Sequence, residues 1–482
     1  MTVLGHVVAD VLAGFDWAVV FYFVAINSSY LLLLALASRS FARYLRWKPL
    51  LGYEETLVSA VTPPVSIIVP TYNEEAGIVE SVSAMISLNY PELEVVVVLD
   101  GSRDGTLDRL REHFDLVAVP WAWDPEIPTR AEPTGMYRPA GSAPLVVVEK
   151  VNTGRADTIN VGINAARYPL VCMVDADSIL DADAILHVVQ PFIDDPERVV
   201  ASGGVIRAAN GCEVRMGRIT RVRMPREWVA RIQVIEYLRA FLLGRTGWSE
   251  LNSLLVISGA FGLFHRDVVV AAGGLDPSTI GEDAELVIRL HRWMRDRKKD
   301  YRIVFVAEPI SWTEVPNRLS VLARQRRRWS RGLAEILWRH RRMMLNPRYG
   351  RIGLVALPYY LLFEMLAPLI EVLGVFAVAA GIALGAVNLE FGALYLAVAV
   401  IYAITLSFAS LLIEEVSFHR YNRWRDLAVA GIVAIVENLG YRQAVAVFQL
   451  QGLWSALRGK QQVWGEMTRV GFNQAPAGGD GS

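Results

Sequence analysis

The sequence predicts an α/β domain with a mostly parallel sheet, accompanied by transmembrane helices. Short apolar runs alternate with helical patterns and turn residues over residues 65–174. Such alternation is typical of βαβ units. Acidic residues directly follow several of these runs, and long apolar stretches lie before and after this region.

The predicted strands of the sheet are apolar runs too short to cross a membrane. They are residues 65–70, 95–99, 145–148 and 170–174. Helices are predicted at about residues 76–88 and at 284–297, from apolar positions at helical spacing. Residues 120–144 contain six prolines and are predicted to be an inserted loop.

The composition excludes several classes of protein. A chain of 482 residues is long enough for two or more domains, and a hydrophobic fraction of 53% is high for a soluble protein. The formal net charge of -1 gives no indication of a nucleic-acid partner. Cys172 and Cys212 are the only cysteines, which excludes a disulfide framework or a cysteine-rich zinc site and fits a reducing compartment.

Residues 17–38 form an apolar stretch without a charged residue, and about 20 such residues span a bilayer. No Lys or Arg precedes it, whereas Arg39, Arg43 and Arg46 follow it. The positive-inside rule therefore places the N-terminus outside and the residues after 38 in the cytoplasm. Because no basic segment precedes the stretch, we expect a permanent anchor rather than a cleaved signal peptide.

Further apolar stretches follow at residues 354–387, 391–413 and 427–448. Glu437 and Arg442 interrupt the last one, which is either a fourth span or a re-entrant or interfacial segment. The chain is thus predicted to have three or four spans. The predicted division is an anchor with a basic juxtamembrane segment at 1–50, a cytoplasmic catalytic domain at 51–345, interfacial and transmembrane helices at 346–465, and a tail at 466–482.

Asp175 and Asp177 directly follow the predicted strand at 170–174. Ligands of open α/β sheets bind where parallel strands end. Carboxylate oxygens are the ligands that Mg²⁺ and Mn²⁺ prefer, and diphosphates recruit such ions. The pair therefore indicates a metal–diphosphate site; the alternative is a solvated turn after a core strand.

Polar side chains also follow the first two strands. Thr71, Tyr72 and Glu74 come after the first, and Asp100 ends the second. These groups suit hydrogen bonding to a ribose and a base. The alternative for Asp100 is an Asx-type turn with glycine. A calcium loop is excluded, because its twelfth position would be Arg111 rather than Glu.

Two further segments combine charge with the start of a helix. Lys150 and Arg155 flank a glycine turn that leads into a helix. Two cations beside a helix N-terminus suit the binding of a diphosphate; the alternative is a surface loop with incidental charge. Glu282 and Asp283 open the helical pattern at 284–297. Asp283 is a candidate general base, although acids in a first helical turn often only complement the helix dipole.

A basic, aromatic segment runs from Gln325 to Trp329. Guanidinium groups pair with phosphate oxygens and an indole stacks on a sugar ring. The alternative is a basic helix on an anionic membrane surface. The arginines at 207–231 have no phosphate-specific spacing and are read as a solvated or membrane-facing surface.

The order of these motifs resembles a known family. Asp100, Asp175-Ala176-Asp177, Glu282-Asp283 and Gln325–Trp329 are similar to the D, DxD, ED and QxxRW series of membrane-embedded family 2 glycosyltransferases. These include hyaluronan, chitin, cellulose and poly-N-acetylglucosamine synthases. Residues 70–74 and 258–262 also resemble that group, so the resemblance covers about residues 65–335. It implies a GT-A-like nucleotide-sugar domain.

The resemblance also implies roles for individual residues. The nucleotide-sugar donor would contact Thr71, Tyr72, Glu74, Asp100, Lys150, Asp175 and Arg328. Asp175 and Asp177 would hold the diphosphate through a divalent cation, and Asp283, beside Glu282, would deprotonate the acceptor. The acceptor site would comprise Ser258, Gly259, Ala260, Phe261, Gln325 and Trp329. Two positions differ from the family pattern: Gly281 stands where a Thr usually precedes the Glu-Asp pair, and Arg155 stands where a Lys is often found in the loop after Lys150. These differences put the identity of the substrate in doubt more than the reaction class.

The predicted function is that of an inverting glycosyltransferase of the cell membrane, with its catalytic domain in the cytoplasm. It would transfer sugar from a nucleotide-diphosphate sugar, a UDP-sugar, to a β-linked polysaccharide and pass the polymer across the membrane. For Glu364, Glu371, Glu437 and Arg442 three interpretations stay open: they line the polymer path, pack helices or lie in the membrane interface. The alternatives are a non-processive transferase with a lipid-linked acceptor and an inactive membrane scaffold. Because so few spans enclose a channel poorly, a homo-oligomer or an export partner is a further hypothesis.

Overall fold

The computed structural model describes residues 3–47, 56–57, 59, 62–383, 389–418, 421 and 423–458. They form two compact units that alternate along the chain. The sheet unit contains residues 46–226 and 252–315, and the helical unit contains residues up to 45, 227–251 and 316–458. The predicted tail at 466–482 lies outside the described residues.

The sheet unit is built on one ten-stranded sheet. Its strands are β1 Val65–Thr71, β2 Leu93–Asp100, β3 Leu116–Ala118, β4 Pro133–Pro139, β5 Leu145–Lys150, β6 Leu170–Val174, β7 Ile179–Leu180, β8 Val199–Ala208, β11 Phe261–His265 and β12 Arg302–Thr313. Their order in the sheet is β3-β4-β5-β2-β1-β6-β11-β8-β12-β7. A separate hairpin pairs β9 Glu213–Arg215 with β10 Arg218–Arg221. The four predicted strands are confirmed as β1, β2, β5 and β6.

Four neighbouring strands, β5, β2, β1 and β6, are mutually parallel. They are rich in valine and isoleucine and are buried along nearly their whole length. Parallel strands need this composition because helices cover both faces of the sheet. The helices of this unit are α2 Ile78–Ile86, α3 Thr106–Phe114, α4 Arg155–Ala165, α5 Ala184–Asp194, α8 Arg266–Ala271 and α9 Glu282–Asp296. The predicted α/β fold class is confirmed.

Residues 120–144 are not a loop throughout, contrary to the prediction from their prolines. β4 occupies residues 133–139 and pairs antiparallel with both β3 and β5. Pro133 is its first residue and Pro139 its last. Proline has no backbone N–H to donate, and it is tolerated at strand ends because fewer hydrogen bonds link neighbouring strands there.

The strand register brings several chain segments to one edge of the sheet. Asp100 and Lys150 are neighbours at the ends of the parallel strands β2 and β5. β11 runs antiparallel to β6, with Phe261 beside Val174. The segment that precedes Phe261 therefore lies next to the residues that follow Val174, and these include Asp175.

The helical unit contains three segments that are long and apolar enough to cross a membrane: Val20–Arg46, Ile352–Gly374 and Val400–Phe418. Its helices are α1 Val3–Trp47, α6 Trp228–Leu238, α7 Thr246–Glu250, α10 Leu319–Arg339, α11 Leu357–Tyr359, α12 Ala367–Ala383, α13 Leu389–Phe418, α14 Trp424–Val436 and α15 Tyr441–Leu457. π-Helical turns join α6 to α7 and flank α11. The predicted combination of an α/β domain with membrane-type helices is confirmed.

The apolar stretch at 427–448 is not one helix. α14 ends at Val436, and α15 begins at Tyr441 after Gly440, whose φ is 86°. Glycine adopts this left-handed conformation without the steric cost that a side chain adds. The described residues therefore contain three candidate spans, and the stretch with Glu437 and Arg442 is not among them.

The units differ from the predicted domain limits of 51–345 and 346–465. Residues 227–251 and 316–345 belong to the helical unit. Gln233 Nε2 donates to the carbonyl of Pro316, and Ser330 Oγ donates to the carbonyl of Gln449. Hydrogen bonds thus join segments of the helical unit that are far apart in sequence, and the amino-acid sequence alone does not reveal these contacts.

Candidate active site

Asp100 and Lys150 form a buried ion pair where β2 and β5 end. Lys150 Nζ lies 2.5 Å from Asp100 Oδ1, and the residue is 1% exposed. The backbone N–H groups of Thr153 and Gly154 donate to the two Asp100 oxygens at 2.9 and 3.0 Å. Asp157 Oδ2, 3.7 Å from Nζ, is a second buried counter-ion. Asp100 and Lys150 therefore brace the loop that leads into α4.

The loops after β1 and β2 are joined to each other. The N–H of Glu74 donates to Thr106 Oγ1, and the N–H of Arg103 donates to Asn73 Oδ1. Thr71, the last residue of β1, is buried, whereas Tyr72 is 42% exposed. The loops after β1 and β2 thus form one hydrogen-bonded rim at the strand ends, and Tyr72 is exposed in the first of these loops.

Arg155, at the start of α4, is hydrogen-bonded to three chain segments at this edge of the sheet. Its Nε and Nη2 donate to Asp175 Oδ1 at 3.0 and 2.6 Å. Nη1 donates to Glu282 Oε1 at 2.7 Å, and Nη2 also donates to the carbonyl of Gly259 at 2.7 Å. Burial would lower the pKa of Arg155, but Asp175 and Glu282 raise it above its usual range, so this residue is a fixed cation.

Glu282 and Asp283 occupy the first turn of α9 and have different environments. Burial raises the pKa of the Glu282 carboxyl; Arg155 opposes this rise and Asp283 adds to it. Asp283 instead accepts two backbone hydrogen bonds, from Gly259 N–H at 3.0 Å and from Ala284 N–H at 2.8 Å. The predicted base is thus held by main-chain groups at the same edge as Asp175.

The predicted acceptor segment at 258–261 belongs partly to this edge. Gly259 contacts both Arg155 and Asp283, and the carbonyl of Ala260 accepts a 3.5 Å hydrogen bond from Ser178 Oγ. Ser258 is half-buried. Phe261 is fully buried at the start of β11, so its side chain contributes to the core.

Gln325, Arg328 and Trp329 lie on α10 in the helical unit. Gln325 is 8% exposed, and its Oε1 has no hydrogen-bond partner in the described part of the chain. Trp329 is 43% exposed, and Arg326 lies over its ring, 4.7 Å from the centroid. Their acceptor and pyrophosphate roles stay predictions.

Glu437 has a defined structural partner, which bears on the predicted polymer path. It is 1% exposed, and Oε1 accepts hydrogen bonds of 2.6 Å from both Arg239 and Ser407. A carboxylate with these contacts joins α13 to the segment after α14. The geometry favours the helix-packing alternative for this residue.

The carboxylates at the sheet edge fit a hard divalent cation. Asp175 and Asp177 are both half-buried and supply only oxygen ligands. No group of three or more Cys, His, Asp or Glu side chains within the described ranges is arranged to hold a metal. Mg²⁺ is usually bound by one or two carboxylates together with substrate phosphates, and Asp175 and Asp177 supply two carboxylates.

Sequence reasoning offered Arg155 only as a cation for a diphosphate and left Asp157 out of the site. Asp157 is fully buried and accepts from the N–H of Arg130 and the hydroxyl of Thr153. Both follow Gly154, whose φ of 97° turns the chain into α4. The available signal was two opposite charges, on Arg155 and Asp157, at the start of a helix that follows a glycine. The signal does not identify their partners, because those residues are distant in sequence.

The chain is similar to known glycosyltransferases. A profile described as glycosyl transferase family 2 matches residues 66–127, and one described as glycosyltransferase like family 2 matches residues 135–332. Poly-β-1,6-N-acetyl-D-glucosamine synthase of Staphylococcus epidermidis is 27% identical over 275 residues, which are 57% of this chain and 56% of that protein. The Staphylococcus aureus (strain COL) enzyme of the same name is 28% identical over 280 residues, with the same shares.

The chain spans slightly more than half the length of these curated relatives. Among solved structures, a mannosyltransferase from Pyrobaculum calidifontis in complex with GDP-Man and Mn²⁺ is 20% identical, with a TM-score of 0.49 over 88% of this chain and 99% of that one. The two family profiles together match more than half of the residues and include all the acidic motifs of the sheet edge. The chain therefore belongs to glycosyltransferase family 2.

Proposed function

We propose that the chain is an inverting membrane glycosyltransferase. It transfers a sugar from a nucleotide-diphosphate sugar, a UDP-sugar, to a growing β-linked polysaccharide. The observation that carries the proposal is the Asp283 carboxylate, which two backbone N–H groups hold at the edge that also bears Asp175 and Asp177. The names of the Staphylococcus relatives support a β-linked polymer as product.

In the proposed reaction, Asp283 accepts the proton of an acceptor hydroxyl as the hydroxyl oxygen attacks the anomeric carbon of the donor. The new carbon–oxygen bond forms on the face opposite the diphosphate. The bond from the anomeric carbon to the diphosphate oxygen breaks, and the nucleoside diphosphate leaves with that electron pair. A single displacement of this kind inverts the anomeric centre, and general-base catalysis contributes about 10²–10⁴-fold.

The nucleotide-diphosphate would lie along the strand ends. Tyr72 is exposed in the rim there, beside the half-buried Glu74, and Asp100 with Lys150 fixes the adjacent loop. A divalent cation held by Asp175 and Asp177 would offset the negative charge that develops on the leaving diphosphate.

The acceptor end of the polymer would contact α10. Gln325 Oε1 is buried without a partner in the described structure, and a sugar hydroxyl would supply the missing donor. The partly exposed indole of Trp329 offers a flat apolar surface for a sugar ring. We further propose that the three candidate spans anchor the enzyme in the cell membrane with the sheet unit in the cytoplasm, and that chain extension is coupled to translocation.

The test is release of nucleoside diphosphate by the purified full chain in detergent, with a panel of UDP- and GDP-sugars and Mg²⁺ or Mn²⁺. Product size is measured by glycosidase digestion and gel electrophoresis. We expect turnover with one donor and a long product. Asp283→Asn should lower kcat by about 10²–10⁴-fold and retain donor binding.

The matched control is Asp267→Asn, which changes an exposed acid in the first turn of another helix, α8, and should behave as wild type. Wild-type activity in Asp283→Asn, or no turnover with any donor, would refute the proposal. A product with a single added sugar on a lipid would replace the polymer synthase with the non-processive transferase.

A further inference from the structure

Arg155 is a cation that lies between the carboxylates of Asp175 and Glu282. The Asp175 carboxylate is one-third exposed, whereas Arg155 and Glu282 are 17% and 9% exposed. Asp175 Oδ1 receives two N–H groups from the same guanidinium. The charge on Asp175 is thus paired with a cation of the protein itself.

The same guanidinium is linked to the proposed base through one residue. Gly259 accepts a hydrogen bond from Arg155 at its carbonyl oxygen and donates one to Asp283 through its N–H. A Cβ at position 259 would lie 3.0 Å from Nη2 and 3.1 Å from Nη1 of Arg155. The guanidinium packs directly against this glycine and fixes the backbone that orients Asp283.

We propose that Arg155 is a positioning residue with two opposed effects at this site. It holds Gly259, Glu282 and Asp175 in place for transfer, and it competes with the divalent cation for Asp175 Oδ1. The part concerning transfer rests on the proposed function, whereas the competition for Asp175 does not.

These two roles predict opposite changes when the charge of Arg155 is removed. Loss of the guanidinium frees Asp175, so a divalent cation should bind more tightly. The same loss releases Gly259 and Glu282, so the base should be less well placed and turnover should fall. A change that merely destabilised the fold would instead weaken both cation binding and turnover.

The experiment measures Mn²⁺ binding to the full chain in detergent by electron paramagnetic resonance of the free ion, without donor. Arg155→Gln should bind Mn²⁺ about 10-fold more tightly than wild type, because a charge-assisted hydrogen bond no longer competes. Its kcat with the active donor should fall by about 10-fold or more. In an Asp175→Asn background, Arg155→Gln should give no gain in Mn²⁺ affinity.

Two further variants sharpen the result. Arg266→Gln removes another partly buried arginine, whose partners are Glu126 and the carbonyl of Ile163, and should change neither quantity. Arg155→Lys keeps the charge but loses the forked geometry, so Mn²⁺ affinity should stay near wild type while kcat falls. This variant also decides the positioning role if Arg155→Gln does not fold.

Unchanged or weaker Mn²⁺ binding by folded Arg155→Gln would overturn the competition. Full kcat in Arg155→Lys would overturn the positioning role. If the wild type turns over no donor, the proposed function fails, and the Mn²⁺ titration still decides whether Arg155 competes for Asp175.

Discussion

The backbone N–H of Gly259 donates a 3.0 Å hydrogen bond to Oδ2 of Asp283. The other oxygen of Asp283 accepts from the N–H of the next residue in α9. Because both donors are main-chain groups, the position of this carboxylate depends on the backbone path of the 258–260 segment. Small changes in that path should therefore affect transfer.

Gly259→Ala tests this dependence. The added Cβ would lie 3.0 Å from Arg155 Nη2, so either the guanidinium or the 258–260 backbone must move. The guanidinium or the backbone must give by a few tenths of an ångström. Because a displacement of about 1 Å at a reacting group can cost about 100-fold in rate, we expect this smaller shift to lower kcat by about 2- to 5-fold. Gly77→Ala is the control, since its Cβ would meet nothing within 4 Å. Equal kcat values for the two variants would contradict the prediction.

Lys150→Met tests the buried ion cluster. The substitution leaves Asp100 and Asp157 buried without their cation, and breaking a buried pair in this way costs about 3–5 kcal/mol. We expect a clear drop in melting temperature in detergent, whereas Lys299→Met, at an exposed lysine, should have little effect. If the variant melts as wild type but binds donor weakly, Lys150 acts on the nucleotide rather than on the loop.

His291 should make the stability of the sheet unit depend on pH. Its Nε2 donates to the carbonyl of Leu254 and its Nδ1 accepts from the Tyr301 hydroxyl, an arrangement that suits the neutral ring. Burial lowers the pKa of His291 from 6.5 to about 4, against the effect of the Leu254 carbonyl and with a contribution from Arg295.

Because the unfolded histidine binds a proton more readily, this stability is complete above pH 6.5 and is lost as the pH falls toward 4. Linkage gives roughly 2 kcal/mol between about pH 7 and pH 5. Melting curves of wild type and His291→Gln at both pH values measure it. A pH effect of equal size in the variant would show that other groups are responsible.

Glu236→Gln tests the support of the predicted acceptor helix. Glu236 Oε2 accepts from Arg326 at 2.6 Å and from the Tyr441 hydroxyl at 2.9 Å, and Arg326 covers the ring of Trp329. Loss of the charge should loosen Arg326 and with it the indole. We expect shorter polymer with donor turnover retained, measured as product length against the total nucleoside diphosphate released. Reduced turnover at unchanged length would argue against a role in holding the acceptor.

The parallel strands and the acidic residues at their ends could be predicted because both depend on local pattern. A buried strand needs an unbroken apolar run, and the polar residue that follows must lie at the sheet edge. β4 was missed because proline outweighed strand propensity, although Pro133 and Pro139 occupy only the strand ends.

The sequence by itself determined the family motifs, the parallel strands that end at them, and the presence of long apolar segments, since each is encoded by neighbouring residues. Only the tertiary structure decided which charges pair. Arg155 reaches Asp175 and Glu282, 20 and 127 residues away, and Glu437 reaches Arg239, 198 residues away. Such pairs depend on strand register and helix packing over the whole chain, and the same packing places residues 227–251 and 316–345 with the membrane-type helices.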